Sequence, residues 1–240
     1  MKTVSDFIFV SSVSRWDVAH ERLLASPCLR AGAQRLVLHV NVGSAAEAVN
    51  AVLEGRPPQR WLVWLHQDVY LPEGWPTVFA QRLQEAQVRW PALAVAGVYG
   101  VHGSGPQALR AGHVLDRGRL LREPAPLPHA VDSLDELLVA VRTDCGLRMD
   151  PALGFDFYAT DLVLQAQAQG LCAAVVDAYC EHWSDTPLTG SASAALAQRI
   201  CASAAVFEHK WEKRLPVCTP CFAIERRGDT LALLEEWCRG

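Results

Sequence analysis

The chain has 240 residues, a net charge of −4 with histidine counted neutral, half of its residues hydrophobic and one fifth charged. That composition excludes a disordered chain, and at this length one α/β unit can bury about 70–75% of its unfolded surface without staples. No clustered basic face marks a nucleic-acid partner, and no apolar run approaches the roughly 20 residues of a membrane helix.

The start, Met1-Lys-Thr-Val-Ser-Asp6, enters an apolar run with no small-residue cleavage site behind it, so a cytoplasmic protein is expected. In that compartment eight cysteines read as free, mostly buried thiols. Cys218-Thr-Pro-Cys221 with His209 and Cys238 offers four zinc-ligand types, but at a spacing no common zinc ribbon has. The basic stretch from Lys210 to Arg214 reads as a solvated helix end.

Phe7-Ile-Phe-Val10 is apolar, aromatic and β-branched, which favours a buried strand. Ser11 and Ser12 follow it, and Ser14 is an N-cap candidate for a helix around Asp17 to Ala25. A second strand, Leu36 to Val40, ends at Asn41-Val-Gly-Ser44. Ser44 and Glu47 form a capping-box pattern for a helix from Ala45 to Leu53. Gly55-Arg-Pro-Pro-Gln59 breaks that helix. A third strand, Trp61 to Leu65, runs straight into His66-Gln67-Asp68.

A helix near Thr77 to Arg89 and a strand Leu93 to Val98 come next. Residues 99–130, rich in Gly, Pro, His and Arg, read as loops and short hairpin strands. Leu137 to Val141 reads as a strand, Phe157 to Gln169 as a helix ended by Gly170, and Ala173 to Val176 as a last strand before a polar stretch from Asp177 to Asp185. From Ser191 to Lys213 a helix carries Leu196, Ile200, Ala204, Phe207 and Trp211 on one stripe, which covers the core or a partner subunit. Strands alternating with helices predict right-handed βαβ units and a mostly parallel sheet with ligands at the carboxyl ends of its strands. The expected organisation is one unit: a nucleotide-binding half over 1–100, an acceptor and catalytic half over 101–188, and a helical tail over 189–240.

Four polar clusters can carry chemistry. His66 and Asp68, two residues apart, point the same way from an extended chain. They can hold a divalent ion or hydrogen-bond a ribose and a phosphate; equally, Asp68 can simply cap the turn into Tyr70-Leu-Pro72. Asp156, Tyr158 and Asp161 form the second cluster, with Asp161 near a helix start, where it is a helix cap or a general base for an acceptor hydroxyl. Asp156 is the second candidate for that base. Glu181-His182-Trp-Ser184 can complete a metal shell, and Leu134-Asp135-Glu136-Leu137 can meet a sugar or an acceptor hydroxyl.

In order, these elements resemble GT-A glycosyltransferases of the family-2 type, in particular a small branch with a streptomycin-biosynthesis-type domain. The resemblance rests on Asn41-Val-Gly-Ser44 with Asn50, Leu65-His-Gln-Asp-Val69, Leu134-Asp-Glu-Leu-Leu138, Phe155 to Gln165 with Gly170, Glu181-His-Trp-Ser184, and Phe207-Glu-His-Lys-Trp211 with Leu215-Pro216. It covers roughly residues 7 to 216. It implies a GT-A, Rossmann-like α/β fold and a nucleotide-diphosphate sugar donor met by Ser11, Ser12, Asn41, Ser44, Asn50, His66, Gln67, Asp135 and Glu136. It also implies Mn²⁺ or Mg²⁺ at Asp68, in place of the usual Asp-x-Asp, with His182 as a further ligand, and Asp161 as the base of an inverting transfer to an unspecified acceptor. A GT-A-shaped binding or scaffolding domain without turnover is the alternative.

Overall fold

The computed structural model describes residues 6–30, 34–184 and 193–239. Seven strands form the main sheet in the order β2 (Arg35–Val40), β1 (Phe7–Val13), β3 (Trp61–Leu65), β11 (Leu138–Arg142), β5 (Leu93–Gly97), β12 (Cys172–Val175) and β9 (His129–Ala130). β1 pairs in parallel with β2 and β3, and β12 with β5, while β11 lies antiparallel between β3 and β5. The parallel majority follows the expectation; the reversed strand at the centre does not. β9 is also antiparallel.

Period-two alternation sorts each buried strand between two cores. Ile8, Val10, Leu62 and Trp64 face α2 (Ala45–Glu54) and α4 (Tyr158–Ala168). Phe7, Phe9, Trp61, Val63 and Leu65 face α3 (Trp75–Arg89). Trp75, Phe79, Leu83 and Ala86 form one buried stripe of α3, with the Trp75 and Phe79 rings stacked 4.4 Å apart. Ser44 caps α2, its Oγ accepting from Glu47 N at 3.1 Å, while Glu47 Oε2 accepts from Gly43 N at 2.9 Å. A short helix, α1 (Trp16–Glu21), follows β1.

Segment 99–130 holds the expected loops and hairpin strands. β6 (Tyr99–His102), β7 (Leu109–Asp116) and β8 (Arg119–Arg122) form hairpins, and Arg117 and Gly118 turn β7 into β8 with φ of 48° and 76°. Two consecutive left-handed residues are what a tight hairpin turn requires. β7 is the spine of a second sheet, with β10 (Ser133–Leu134) beyond β6. β13 (Cys180–His182) runs parallel to β7, and β4 (Val69–Tyr70) antiparallel to β13. β13 lies in the stretch read as merely polar.

The C-terminal segment is α5 (Ala194–Lys210), a hairpin of β14 (Val217–Cys218) and β15 (Ala223–Ile224), and α6 (Asp229–Arg239). Ile200, Ala204 and Phe207 are buried with Leu153, Phe157 and Leu164, so within the chain the stripe covers a third core. The start of the expected helix, residues 191–192, lies outside the described residues. Lys210 is not a solvated helix end: its Nζ lies 2.7 Å from both Asp150 Oδ2 and Asp161 Oδ1. No helix among the described residues is long and apolar enough to cross a membrane.

Candidate metal centre

Backbone register gathers the site. β3 ends at Leu65, and the turn into β4 carries His66 and Asp68. Val69 of β4 pairs with His182 of β13, and His182 pairs with Asp116 of β7. Trp183 N also donates to Asp68 O at 3.1 Å. Segments more than 100 residues apart in sequence therefore converge, and one ligand atom from each of His66, Asp68 and His182 lies within 4.8 Å of the others.

Hydrogen bonds orient both imidazoles. His182 Nδ1 is 2.8 Å from Asp116 Oδ1. A carboxylate only accepts, so Nδ1 carries the proton and Nε2 faces Asp68 Oδ1 at 3.4 Å. His66 Nε2 is 2.8 Å from Tyr158 Oη, which also accepts from Trp64 Nε1 at 2.9 Å and donates to Glu136 O at 2.8 Å. With its one proton spent on that carbonyl, Tyr158 accepts from His66 Nε2–H, leaving the His66 Nδ1 lone pair for a ligand.

Asp68 Oδ1 and His182 Nε2 are buried without a hydrogen-bond partner among the described residues. They face each other as an ion pair at 3.4 Å, longer than a hydrogen bond, and a cation at this point would engage both. A carboxylate with two imidazoles suits Mn²⁺ better than Mg²⁺, which prefers an all-oxygen shell. Asp116 behind His182 is the carboxylate that commonly orients a metal-ligating histidine. The electrostatics agree. Burial opposes the Asp68 charge, but His182 and His66 hold its pKa down at about 2. Burial lowers the His66 pKa, keeping the ring neutral. Burial also works against a charged His182, yet Asp116 and Asp68 raise its pKa to about 10, so a cation bound here would have to displace a proton.

A cavity of about 980 Å³ opens beside these groups, its wall including Asp135, Glu136 and Asp156. Asp135 Oδ1 accepts from Leu137 N at 3.0 Å. Asp156 is clamped by Arg199, with two bonds of 3.0 Å. Glu136 forms no ion pair among the described residues; burial and the carboxylates of Asp156 and Asp135 push its carboxyl well above the usual range.

Other expected site residues stand elsewhere. Asp161 is fully buried and does not line the cavity. Its oxygens accept from Gln165 Nε2 at 2.6 Å and Trp211 Nε1 at 2.8 Å, and Lys210 completes the set. In this structure the Asp161 carboxylate is thus saturated and stands apart from the cavity. Ser11 is inside β1, because pairing with β2 carries the strand on to Val13. The Ser44 hydroxyl is spent on its helix. The Asn50 amide exchanges bonds of 2.8 and 3.0 Å with the Met149 backbone. Gln67 Oε1 accepts from Ser14 N and Arg15 N at 3.0 and 2.9 Å, and its Nε2 donates to Ser14 Oγ. Ser44, Asn50 and Gln67 thus bond to the frame, while the buried Ser11 Oγ has no hydrogen-bond partner among the described residues. Ser12 is half-buried near the end of β1, and Asn41, just past β2 at φ 53°, is exposed.

Asp116, Tyr158 and Arg199 carry roles the sequence did not assign. Tyr158 stood in the acidic cluster without a partner, and Asp116 lay in a segment read only as loops and short hairpin strands. For the alternative zinc set, the Cys238 side chain lies outside the described residues. The seven cysteines described are free thiols.

No family model matches the chain. Over 139 residues it is 32% identical to a Fuscovulum blasticum protein described as ATP synthase subunits region ORF 6. That match covers 52% of this chain and 51% of the relative, so the chain spans about half the length of the curated relative it matches. Among solved structures, the mannosyltransferase PcManGT of Pyrobaculum calidifontis, in complex with GDP-Man and Mn²⁺, superposes with a TM-score of 0.52. The superposition covers 99% of this chain and 70% of that one at 11% identity. The large central sheet flanked by helices is thus a Rossmann-like α/β fold of the GT-A kind.

Proposed function

We propose that this chain is a metal-dependent transferase that takes a sugar from a nucleotide-diphosphate donor and passes it, with inversion, to an acceptor hydroxyl. The observation that carries the reading is the cluster of His66, Asp68 and His182, in which Asp68 Oδ1 and His182 Nε2 face each other at 3.4 Å, buried and without a hydrogen bond among the described residues, at the rim of a GT-A-like sheet. The similarly folded mannosyltransferase, solved with GDP-Man and Mn²⁺, supports it. So do the ordered motifs shared with the streptomycin-biosynthesis-type branch.

In this reading His66 Nδ1, His182 Nε2 and the Asp68 carboxylate hold the ion. When bound, the ion neutralises charge on the departing diphosphate. Ser12 and Asn41, near the ends of neighbouring strands, meet the nucleoside, and Asp135 orients a sugar hydroxyl. The acceptor oxygen attacks the anomeric carbon as the bond from that carbon to the diphosphate oxygen breaks, and the acceptor proton passes to a carboxylate. Glu136 takes that role: it lines the cavity and forms no ion pair among the described residues.

Calorimetry with UDP, GDP and dTDP, with and without Mn²⁺, tests the proposal. Mn²⁺-dependent nucleotide binding that Asp68→Ala abolishes is the expected result. Binding indifferent to Mn²⁺ and to Asp68 would refute it, and binding without sugar-nucleotide turnover would favour the scaffolding alternative.

A further inference from the structure

The cavity wall joins two kinds of residue: the proposed ion ligands His66 and His182 with Glu136 and Asp156, and a set of apolar side chains drawn mostly from the C-terminal segment. Leu196 and Ile200 come from α5, Phe222 from the turn of the β14–β15 hairpin and Leu233 from α6; Phe157, whose ring lies 5.6 Å from that of Phe222, and Leu134 complete the apolar lining.

This wall is anchored. Arg199 on α5 grips Asp156, Lys210 at the end of α5 joins Asp150 and Asp161, and the Glu208 carboxylate accepts from Gly228 N and Thr230 N at the start of α6. Leu234 is buried in the core beneath, at 1% exposure, while its neighbour Leu233 leaves 45% of its surface open beside the cavity. An apolar surface held rigidly inside a polar reaction cavity is suited to binding apolar matter.

We propose that this wall is the acceptor subsite, and that the acceptor is an uncharged hydroxyl compound with an alkyl or aryl body. The inference rests on the transferase reading and deepens it. Continuity selects this occupant: one cavity joins the wall to the ion ligands, so a molecule lying on Leu196, Phe222 and Leu233 can present a hydroxyl to Glu136. Charge selects against an anionic body, because Asp116, Asp135, Glu136, Asp156 and Glu236 line the same space and its cations Arg117 and Arg199 are drawn to Asp116 and Asp156. The donor's base is accommodated elsewhere, at the strand ends near Ser12 and Asn41.

Calorimetry on the full chain with Mn²⁺, using n-octyl β-D-glucoside and methyl β-D-glucoside below the micelle-forming concentration, tests it without requiring turnover. The octyl compound is expected to bind one per chain, at least about tenfold tighter than the methyl compound, because its added methylenes leave water. Leu233→Asp, an exposed position, removes that advantage and leaves Mn²⁺-dependent nucleotide binding unchanged; Leu233→Ala reduces it in the same direction. Equal affinities for the two glucosides would overturn the assignment, as would octyl binding indifferent to Leu233→Asp. Loss of nucleotide binding in Leu233→Asp would give the wall to the donor. A wild-type dimer that Leu233→Asp dissociates would give it to a second copy. Absence of Mn²⁺-dependent nucleotide binding in the wild type is a separate failure: it removes the transferase reading, and the acceptor assignment with it, whatever the glucosides do.

Discussion

Asp161→Asn separates a structural carboxylate from a chemical one. In the wild type the carboxylate is fully buried and takes charge-assisted bonds from Gln165, Trp211 and Lys210. The amide can still accept from Trp211, but its NH₂ meets the Gln165 NH₂ donor. Gln165 must then turn and give up Arg148 O, which it reaches at 3.0 Å. Lys210 keeps Asp150, so its loss is partial. Replacing charge-assisted bonds of about 1.5–3 kcal/mol by neutral ones of about 0.5–1.5 kcal/mol, with one bond forfeited, costs roughly 2 kcal/mol. For a chain of this length that lowers the melting temperature by roughly 4–8 °C. Circular dichroism in a thermal or urea series reads the loss, and calorimetry checks that Mn²⁺-dependent nucleotide binding and turnover survive. Unchanged stability with turnover reduced about 10²–10⁴-fold, the cost of a lost general base, would refute this account of Asp161 and return it to the chemistry.

Two further outcomes follow from the same geometry. Asp116→Asn releases the Nδ1–H of His182 from its charged acceptor and lowers Mn²⁺ affinity about 10–100-fold with little change in fold, measurable by titration of the bound ion; wild-type affinity would mean that Asp116 does not orient the ligand. The Lys210–Asp150 pair sets an acid dependence. Burial opposes the Asp150 charge, but Lys210 holds its pKa below the usual value, so the pair's contribution is present above the unfolded pKa of about 4 and is lost as pH falls through the depressed folded value. Lys210→Met should therefore show a shallower loss of urea stability than the wild type across that acid range, and an equally steep loss would contradict the pairing.

How far the residues announced the fold depends on what kind of information they carry. The strand from Trp61 to Leu65 and the stripe of α5 were legible because burial on both faces, or on one helical face, leaves a periodic trace. That β11 runs backwards between β3 and β5 leaves no such trace, since Leu138 to Arg142 reads alike in either direction. His66, Asp68 and His182 stood out because polar groups abruptly follow buried strands. Asp116 did not, because β7 is masked by the glycines and basic residues of its turns. The surroundings of Asp161 were illegible for a different reason. Its position near a helix start was right, but α4 is buried almost all round, and the partners that claim the carboxylate arrive about fifty residues later on α5. Ser44, Asn50 and Gln67 matched a motif whose side chains serve the backbone here.

The three-residue strand β13 constrains how this chain can vary in length. Side chains on a strand alternate between faces, so a single insertion or deletion just before Cys180 would turn His182 away and bring Glu181 or Trp183 to face Asp68 and Asp116. The turn between β6 and β7, residues 103–108, has no ligand in step with it and can absorb added residues. Length changes should be tolerated there and purged a few residues upstream of His182, even though the latter segment is short, polar and partly exposed.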